Sequence, residues 1–336
     1  RRFQHSHLDE SGNRQLMVVS APRPGRWYLW VRAGLLGSGA GLLLPLLNPW
    51  LAHSGGTLPW LLDLAVHWQW LYLLGLIAGV AAVLRVNRRW AMLLLLAALP
   101  FVTASPGAPQ LADGPALSVA TVNLHLDTTD VEKLAPWLAA EQPDLVVLLE
   151  VSPRLAKALK TLKDYPFQVV YPEDSPFGIA LLSRLPLVTS AVVIGEDGIA
   201  HLEADVKFAG GVIAMRAFHP MPPLSATFHQ ARNRQLAALI GPARVGQVPQ
   251  LVAGDFNASP WSQAMVEVPA SGWRRASSLR PTWPAWGQGL LGIPIDQVLV
   301  SPGWGVESRE VGPDLGSDHL PVIVRLRLAR VLAGAG

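Results

Sequence analysis

The chain has 336 residues, enough for about two domains, and no cysteine, which excludes disulfides, thiolate metal sites and thiol nucleophiles. Its formal net charge of +3 is unevenly spread: nine Arg stand against four acidic residues up to Ala116, and eighteen Lys plus Arg against twenty Asp plus Glu beyond it. The mildly acidic remainder lacks the broad basic face with which proteins grip duplex nucleic acid, leaving metal ions or a local patch such as Arg274, Arg275 and Arg280 to supply positive potential.

Residues 1–26 are mostly polar and are expected to form a flexible cytoplasmic tail. No short apolar core with a small-residue cleavage site follows, unlike a cleavable signal peptide. The next region, 27–106, has no charged residue from Ala33 to Leu62, from Leu64 to Leu84, or from Trp90 to Ala112. A membrane span needs roughly 20 mainly apolar residues. Three transmembrane helices are therefore predicted near 33–52, 64–84 and 90–106, with Pro100 and Pro106 shortening the third. A buried core hairpin is the alternative. Trp27, Trp30, Trp50, Trp60, Trp68, Trp70 and Trp90 cluster near the ends, as interfacial anchoring favours. Arg23, Arg26 and Arg32 precede the first stretch, and Arg85, Arg88 and Arg89 separate the second from the third. By the positive-inside bias the N-terminus is cytoplasmic, and everything after about residue 107 lies outside the cytoplasm. His67 and Gln69, polar within the second stretch, need a polar partner.

After a Pro/Gly-containing linker at 107–116, short apolar runs alternate with helical patterns through 117–330. Thr129 to Glu132 reads as a capping box opening a helix to about Glu141, with Pro136 placed to kink it. Strands are expected at 118–122, 145–149, 167–171, 178–182, 187–194, 201–208, 212–218 and 249–253, and a helix at 227–240 with Arg232 and Gln235 on one side. Four strands end in polar groups: Asn123, Glu150, His219, and the run Gly254-Asp255-Phe256-Asn257. A polar residue at the end of a buried strand is held rigidly at the rim of the sheet. Taken singly, each has an ordinary explanation, since a strand-end Glu is commonly a surface carboxylate and Asp-Phe-Asn a turn.

In order the chain reads Thr121-Val122-Asn123, Leu148-Leu149-Glu150, Phe218-His219-Pro220, Gly254-Asp255-Phe256-Asn257, Ile295-Asp296 and Ser317-Asp318-His319-Leu320-Pro321. On these blocks it resembles the endonuclease/exonuclease/phosphatase superfamily from about Ser118 to Arg327, and most of all bacterial members with membrane helices ahead of the catalytic domain. The resemblance implies an α/β fold, a four-layer sandwich of two packed mixed β-sheets flanked by helices, here preceded by the three-helix transmembrane region.

It also implies metal-dependent hydrolysis of a phosphoester. That reaction needs a cation to offset charge on the nonbridging oxygens, a nucleophilic water, and a proton for the leaving oxygen. Oxygen-rich ligands suit Mg²⁺ or Mn²⁺. By resemblance Glu150 is the main metal ligand, with Asn123 beside it and Asp318 completing the site. Asp255 orients or deprotonates the attacking water, and Asn257 holds a phosphate oxygen. His319 contacts the phosphate, with its tautomer fixed by Asp296, and His219 is a general acid near the leaving oxygen. Ser183-Arg184 and Thr282-Trp283 resemble loop positions near the substrate, although Trp283 and Trp286 read equally well as structural aromatics. Arg232 reads as a solvated helix charge rather than a phosphate contact, and His229 has no role.

These features point to a multi-pass protein of the bacterial inner membrane whose hydrolase domain is periplasmic or otherwise extracytoplasmic. The nearby bilayer and the mildly acidic domain favour a lipid headgroup or small phosphoester, preferably a diester, with phospholipid and the bilayer as partners and nucleic acid less favoured. The alternatives are an extracytoplasmic metal-dependent nuclease and a catalytically inactive membrane scaffold, the latter leaving six polar blocks unexplained.

Overall fold

The computed structural model describes residues 4–8, 14–18, 25–84, 86–110, 113–128, 130–241 and 248–329. Strands β1 (Gln4–Leu8) and β2 (Arg14–Val18) pair as an antiparallel ribbon inside the segment expected to be a flexible tail.

Helix α1 (Arg26–Leu43) continues through a 3₁₀ turn at Leu44–Leu47 into α2 (Asn48–Leu51). These 26 residues include an 18-residue stretch with a mean hydropathy of 1.4 and form the one helix among those described that is long and apolar enough to cross a membrane. The second apolar stretch divides into α3 (Thr57–Val66) and α4 (Gln69–Val83), bent by 63° at their junction, and qualifies as a span only if the bent pair is taken as one. The third runs as a 3₁₀ stretch, Arg88–Ala98, into the short α5 (Leu99–Thr103), which has proline in its first turn. The three-helix transmembrane region is therefore not supported. Asp63 on α3 supplies a physical reason, being fully buried and paired with Arg232 169 residues away. That pair packs the Asp63 side of α3 on the domain that follows.

The first sheet contains β3 (Ala116–Asn123), β4 (Leu145–Leu149), β5 (Phe167–Tyr171) and β6 (Ile179–Ser183). The second begins with β7 (Leu187–Ile194), β8 (Ala200–Phe208), β9 (Gly211–Ala217) and β10 (Gln250–Asp255) and adds β11 (Arg274–Arg275) and β12 (Asp296–Val300). With β13 (Trp304–Val311) and β14 (Val322–Leu328) joining the first, the orders are β13-β14-β3-β4-β6-β5 and β11-β12-β10-β9-β8-β7, two mixed six-stranded sheets. The period of 2 along each strand decides what every residue packs against. On β3, Leu117 and Val119 enter the core between the sheets, whereas Ala120 and Val122 meet the outer helices. Strands covered on both faces read as unbroken apolar runs, as Leu145 to Leu149 does. Each such Leu or Val contributes about 1.5–3 kcal/mol by burial.

Helices α6 (Leu134–Glu141) and α7 (Pro153–Leu159) cover the first sheet, and α8 (Ala226–Ile240) covers the second, completing four layers. Helix α6 begins five residues after Thr129, which lies outside the described residues, and it has no side-chain cap. Pro136 therefore sits in the first turn, where its missing N–H costs nothing, and does not kink the helix.

Candidate active site

Strand pairing brings the polar strand ends to one rim. β3 and β4 run parallel with Asn123 opposite Leu149, so Asn123 and Glu150 emerge together. β9 and β10 run parallel with Ala217 opposite Ala253, which places His219 and Asp255 at the same edge. β12 runs antiparallel to β10 with Asp296 directly opposite Asp255. Packing one sheet on the other then joins the two groups: Asn123 Nδ2 donates to Glu150 Oε1 at 3.0 Å and points at Asp255 Oδ2 at 3.4 Å.

Local backbone serves the same end. Gly254 lets β10 pass close to β9, since a Cβ there would lie 1.8 Å from the Phe218 carbonyl oxygen. Glu150 (φ 60°) and Asn257 (φ 48°) both occupy the left-handed region, which persists in non-glycine residues only when the surroundings over-determine it. Glu150 is held by the Leu126 amide, which donates to Oε2 at 2.8 Å. Asn257 donates its backbone N–H to Asp255 Oδ1 at 2.7 Å, while its side-chain amide turns to the Pro220 carbonyl at 3.1 Å.

Asp255 Oδ2 is the centre of the arrangement. His219 Nε2 lies 3.6 Å away and His319 Nε2 3.7 Å away, on opposite loops. The far nitrogen of each ring is anchored, His319 Nδ1 to Asp296 Oδ2 at 2.9 Å and His219 Nδ1 to the Pro176 carbonyl at 3.0 Å. A carbonyl only accepts, so His219 Nδ1 carries hydrogen.

Burial pushes the Asp255 carboxyl up to about 7, against the lowering influence of His319. Burial alone would lower His319, but the Asp296 and Asp255 carboxylates and the Asp296 hydrogen bond outweigh it and push the imidazole up to about 10. Burial also lowers His219, so its ring is neutral. A raised carboxyl beside one charged and one neutral imidazole gives the site both a proton acceptor and a fixed cation.

Of the eight residues singled out in the sequence, Asn123, Glu150, His219, Asp255, Asp296 and His319 are linked by these contacts. Asn257 joins by its backbone, its side chain being directed to Pro220. Asp318 Oδ2 accepts from Trp283 Nε1 at 3.0 Å, and the Trp283 ring lies 6.4 Å from that of His319. The Leu126 amide and the Pro176 carbonyl had no signal in the sequence because a backbone group serves whatever side chain it carries. Arg232, read as a solvated charge, is buried.

Oxygen and nitrogen atoms of Asp255, Asp296 and His319 lie within 4.8 Å of one another, a grouping able to hold a metal ion. Two hard carboxylate ligands and one imidazole fit a divalent cation, and Asp296 Oδ1 is buried without a partner. The Glu150 carboxylate adds two oxygens, each taking a single hydrogen bond.

Solved structures share this fold. One is an endonuclease/exonuclease/phosphatase from Beutenbergia cavernae, 23% identical with a TM-score of 0.54, matched over 64% of this chain and 72% of that one. A humanized D. rerio TDP2 is 19% identical with a TM-score of 0.52, over 63% and 99%. The human nocturnin catalytic domain with a bound sulfate anion is 19% identical with a TM-score of 0.50, over 65% and 97%. No curated protein matches by sequence. The family profile, in contrast, spans residues 120–319 and takes in every block from Asn123 to His319. By that match over more than half its length, the chain belongs to the endonuclease/exonuclease/phosphatase family, whose members are metal-dependent hydrolases of phosphoesters.

Proposed function

We propose that the protein is a membrane-anchored phosphohydrolase dependent on Mg²⁺ or Mn²⁺ that cleaves a phosphoester, preferably a diester, of a lipid headgroup or small molecule outside the cytoplasm. The observation that carries this is the convergence of His219 and His319 on Asp255 Oδ2, beside Asn123 and Glu150. Glu150 and Asn123 are assigned to the metal, together with Asp318. Asp255 is assigned to proton handling and Asp296 to holding His319, to which it is bonded at 2.9 Å. When bound, the cation offsets charge on the phosphate oxygens and lowers the pKa of a coordinated water.

Asp255, deprotonated, takes the proton of the attacking water. His319, kept charged by Asp296, contacts the phosphate and stabilises the negative charge that develops there. His219 is neutral in the free site, so its service as an acid toward the leaving oxygen depends on the incoming phosphate's charge to recruit its second proton. Asn257 turns its amide from the Pro220 carbonyl to a phosphate oxygen.

Membrane attachment is assigned to the helix Arg26–Leu51, on which Trp27, Leu29, Trp30, Leu36 and Trp50 are exposed. Arg23 and Arg26 at its start favour a cytoplasmic N-terminus and, for a single span, an extracytoplasmic hydrolase domain. D. rerio TDP2 has been solved with a single strand DNA product, which favours a nuclease as the second reading. Purified full-length protein with Mg²⁺ or Mn²⁺, assayed against a phospholipid panel, a synthetic diester and plasmid DNA, separates the two. Hydrolysis of lipid or small diester supports the first, and cleavage confined to DNA with steep salt dependence supports the second.

A further inference from the structure

We infer that Asp63 and Arg232, outside the reacting groups, are positioning residues for the loop that follows Asp255, so that the N-terminal helical region is a working part of the active site. This rests on the phosphohydrolase reading for its kinetic consequence, but not for its structural one.

Asp63 on α3 and Arg232 on α8 are both fully buried. Arg232 Nη2 meets Asp63 Oδ2 at 2.6 Å, and Nη1 of the same guanidinium donates to the Asn257 carbonyl at 2.6 Å. One rigid fork thus joins a carboxylate from the N-terminal region to the backbone of a residue held in the left-handed region two positions from Asp255. Asp63 Oδ1 also accepts the Gln263 N–H at 2.7 Å and the Ser262 hydroxyl at 3.0 Å. His67, at the end of α3, accepts at Nδ1 from the Ser259 amide at 3.3 Å and contacts its hydroxyl at 2.7 Å. The polar partners required by His67 are therefore in the catalytic domain. Pro260 and Trp261 complete the run, Pro260 accepting from the Ser105 amide at 2.8 Å and the Trp261 indole donating to the Pro100 carbonyl at 2.8 Å. Each of the five residues Ser259 to Gln263 is thus hydrogen-bonded to a residue before Pro106.

A buried ion pair is weak evidence for stability, because well-packed apolar residues serve as well. Its value here lies in where the second guanidinium nitrogen goes. Strain at Asn257 has to be held by its surroundings, and the Arg232–Asn257 bond is anchored at its far end by Asp63. His229 also faces Asp63 Oδ2, at 3.4 Å.

The test uses the full-length chain with Mn²⁺ and a soluble synthetic phosphodiester. Arg232→Lys keeps a positive charge for Asp63 but has no fork to reach both Asp63 and the Asn257 carbonyl. It is expected to lower kcat at least about tenfold with KM changed less than about twofold, an effect of misplaced groups rather than lost binding. Asp63→Asn, which retains an acceptor for the Gln263 amide, is expected to fall the same way, and the double variant no further. Hydrogen exchange supplies the second readout: amides from Phe256 to Gln263 should exchange faster in Arg232→Lys, with the strands of the first sheet unchanged. Wild-type kcat in Arg232→Lys, or unchanged exchange in that loop, overturns the inference. Absence of turnover in the wild type counts against the phosphohydrolase reading instead, and the exchange experiment still decides the positioning role.

Discussion

His319 Nδ1 lies 2.9 Å from Asp296 Oδ2, and both groups are buried, Asp296 at the start of β12 opposite Asp255 and His319 in the loop before β14. The bond sets the ring's orientation and leaves Nε2 facing Asp255. Because the ring's charge and its aim depend on the same carboxylate, the two residues work as one unit. His319→Ala is expected to lower kcat by roughly 10²–10⁴-fold. Asp296→Asn should lower it as well, since an amide keeps the shape while removing the negative charge that holds the imidazole protonated. Steady-state kinetics of the double variant should show little loss beyond His319→Ala, as residues acting together are non-additive. Multiplying losses would mean that Asp296 acts elsewhere.

The pH profile follows from Asp255. Burial pushes its carboxyl up to about 7, and below that pH it holds a proton and cannot accept one from water. Through Asp255 kcat/KM is therefore expected to depend on pH near 7, and the second proton that His219 must gain makes it fall on the alkaline side. His319, pushed up to about 10, remains charged across that range and adds no alkaline limb below it. The acid limb should move lower as metal approaches saturation, because a nearby cation favours the carboxylate. A flat profile between pH 5 and 8 would remove Asp255 as the base.

Much of the site was legible in the sequence because its chemistry sits at strand ends. Asn123, Glu150, His219 and Asp255 each terminate an apolar run, and parallel pairing of β3 with β4 and of β9 with β10 carries them to one rim. The strands themselves show in the sequence because burial on both faces removes polar residues from them. The N-terminal region was less legible: three spans were expected there, and one helix among the described residues is long and apolar enough to cross a membrane. A stretch without charges reports that a segment avoids water, and says nothing of whether lipid or another part of the protein covers it. Asp63 is a single charge between two apolar stretches, and its partner Arg232 is 169 residues away on a helix whose pattern alone made it look solvated. No local spacing connects the two.

Asp63→Ala leaves Arg232 buried and unpaired, a change that typically costs about 3–5 kcal/mol. For a domain of this size that corresponds to a fall in Tm of about 10 °C by calorimetry. Removal of residues 1–110 should be worse, because it strips the partners from Ser259 to Gln263 together. A fragment as stable and as active as the whole chain would show that the N-terminal helices are only an anchor.

Anchoring itself is open to a fusion experiment. With Arg26–Leu51 as the membrane helix, the full chain should sediment with membranes and resist extraction by carbonate. A reporter active only outside the cytoplasm should be active when fused after Ala329. Activity of a cytoplasm-only reporter at the same place would reverse the orientation and shift attention to substrates of the inner face.

One comparison decides whether a cation held at Glu150 drives phosphoester hydrolysis. Turnover of a soluble phosphodiester is measured for the full-length wild type and Glu150→Gln, each titrated with Mg²⁺ and Mn²⁺ and then with EDTA. Glu150 carries two oxygens at the site's rim, each with one hydrogen bond, so the amide should spare the fold while removing the chief charge. The wild type should show metal-dependent turnover that is lost in EDTA, and Glu150→Gln almost none at any metal concentration, with Tm little changed. Full turnover in EDTA, or a Glu150→Gln variant as active as the wild type, would contradict that role for the cation.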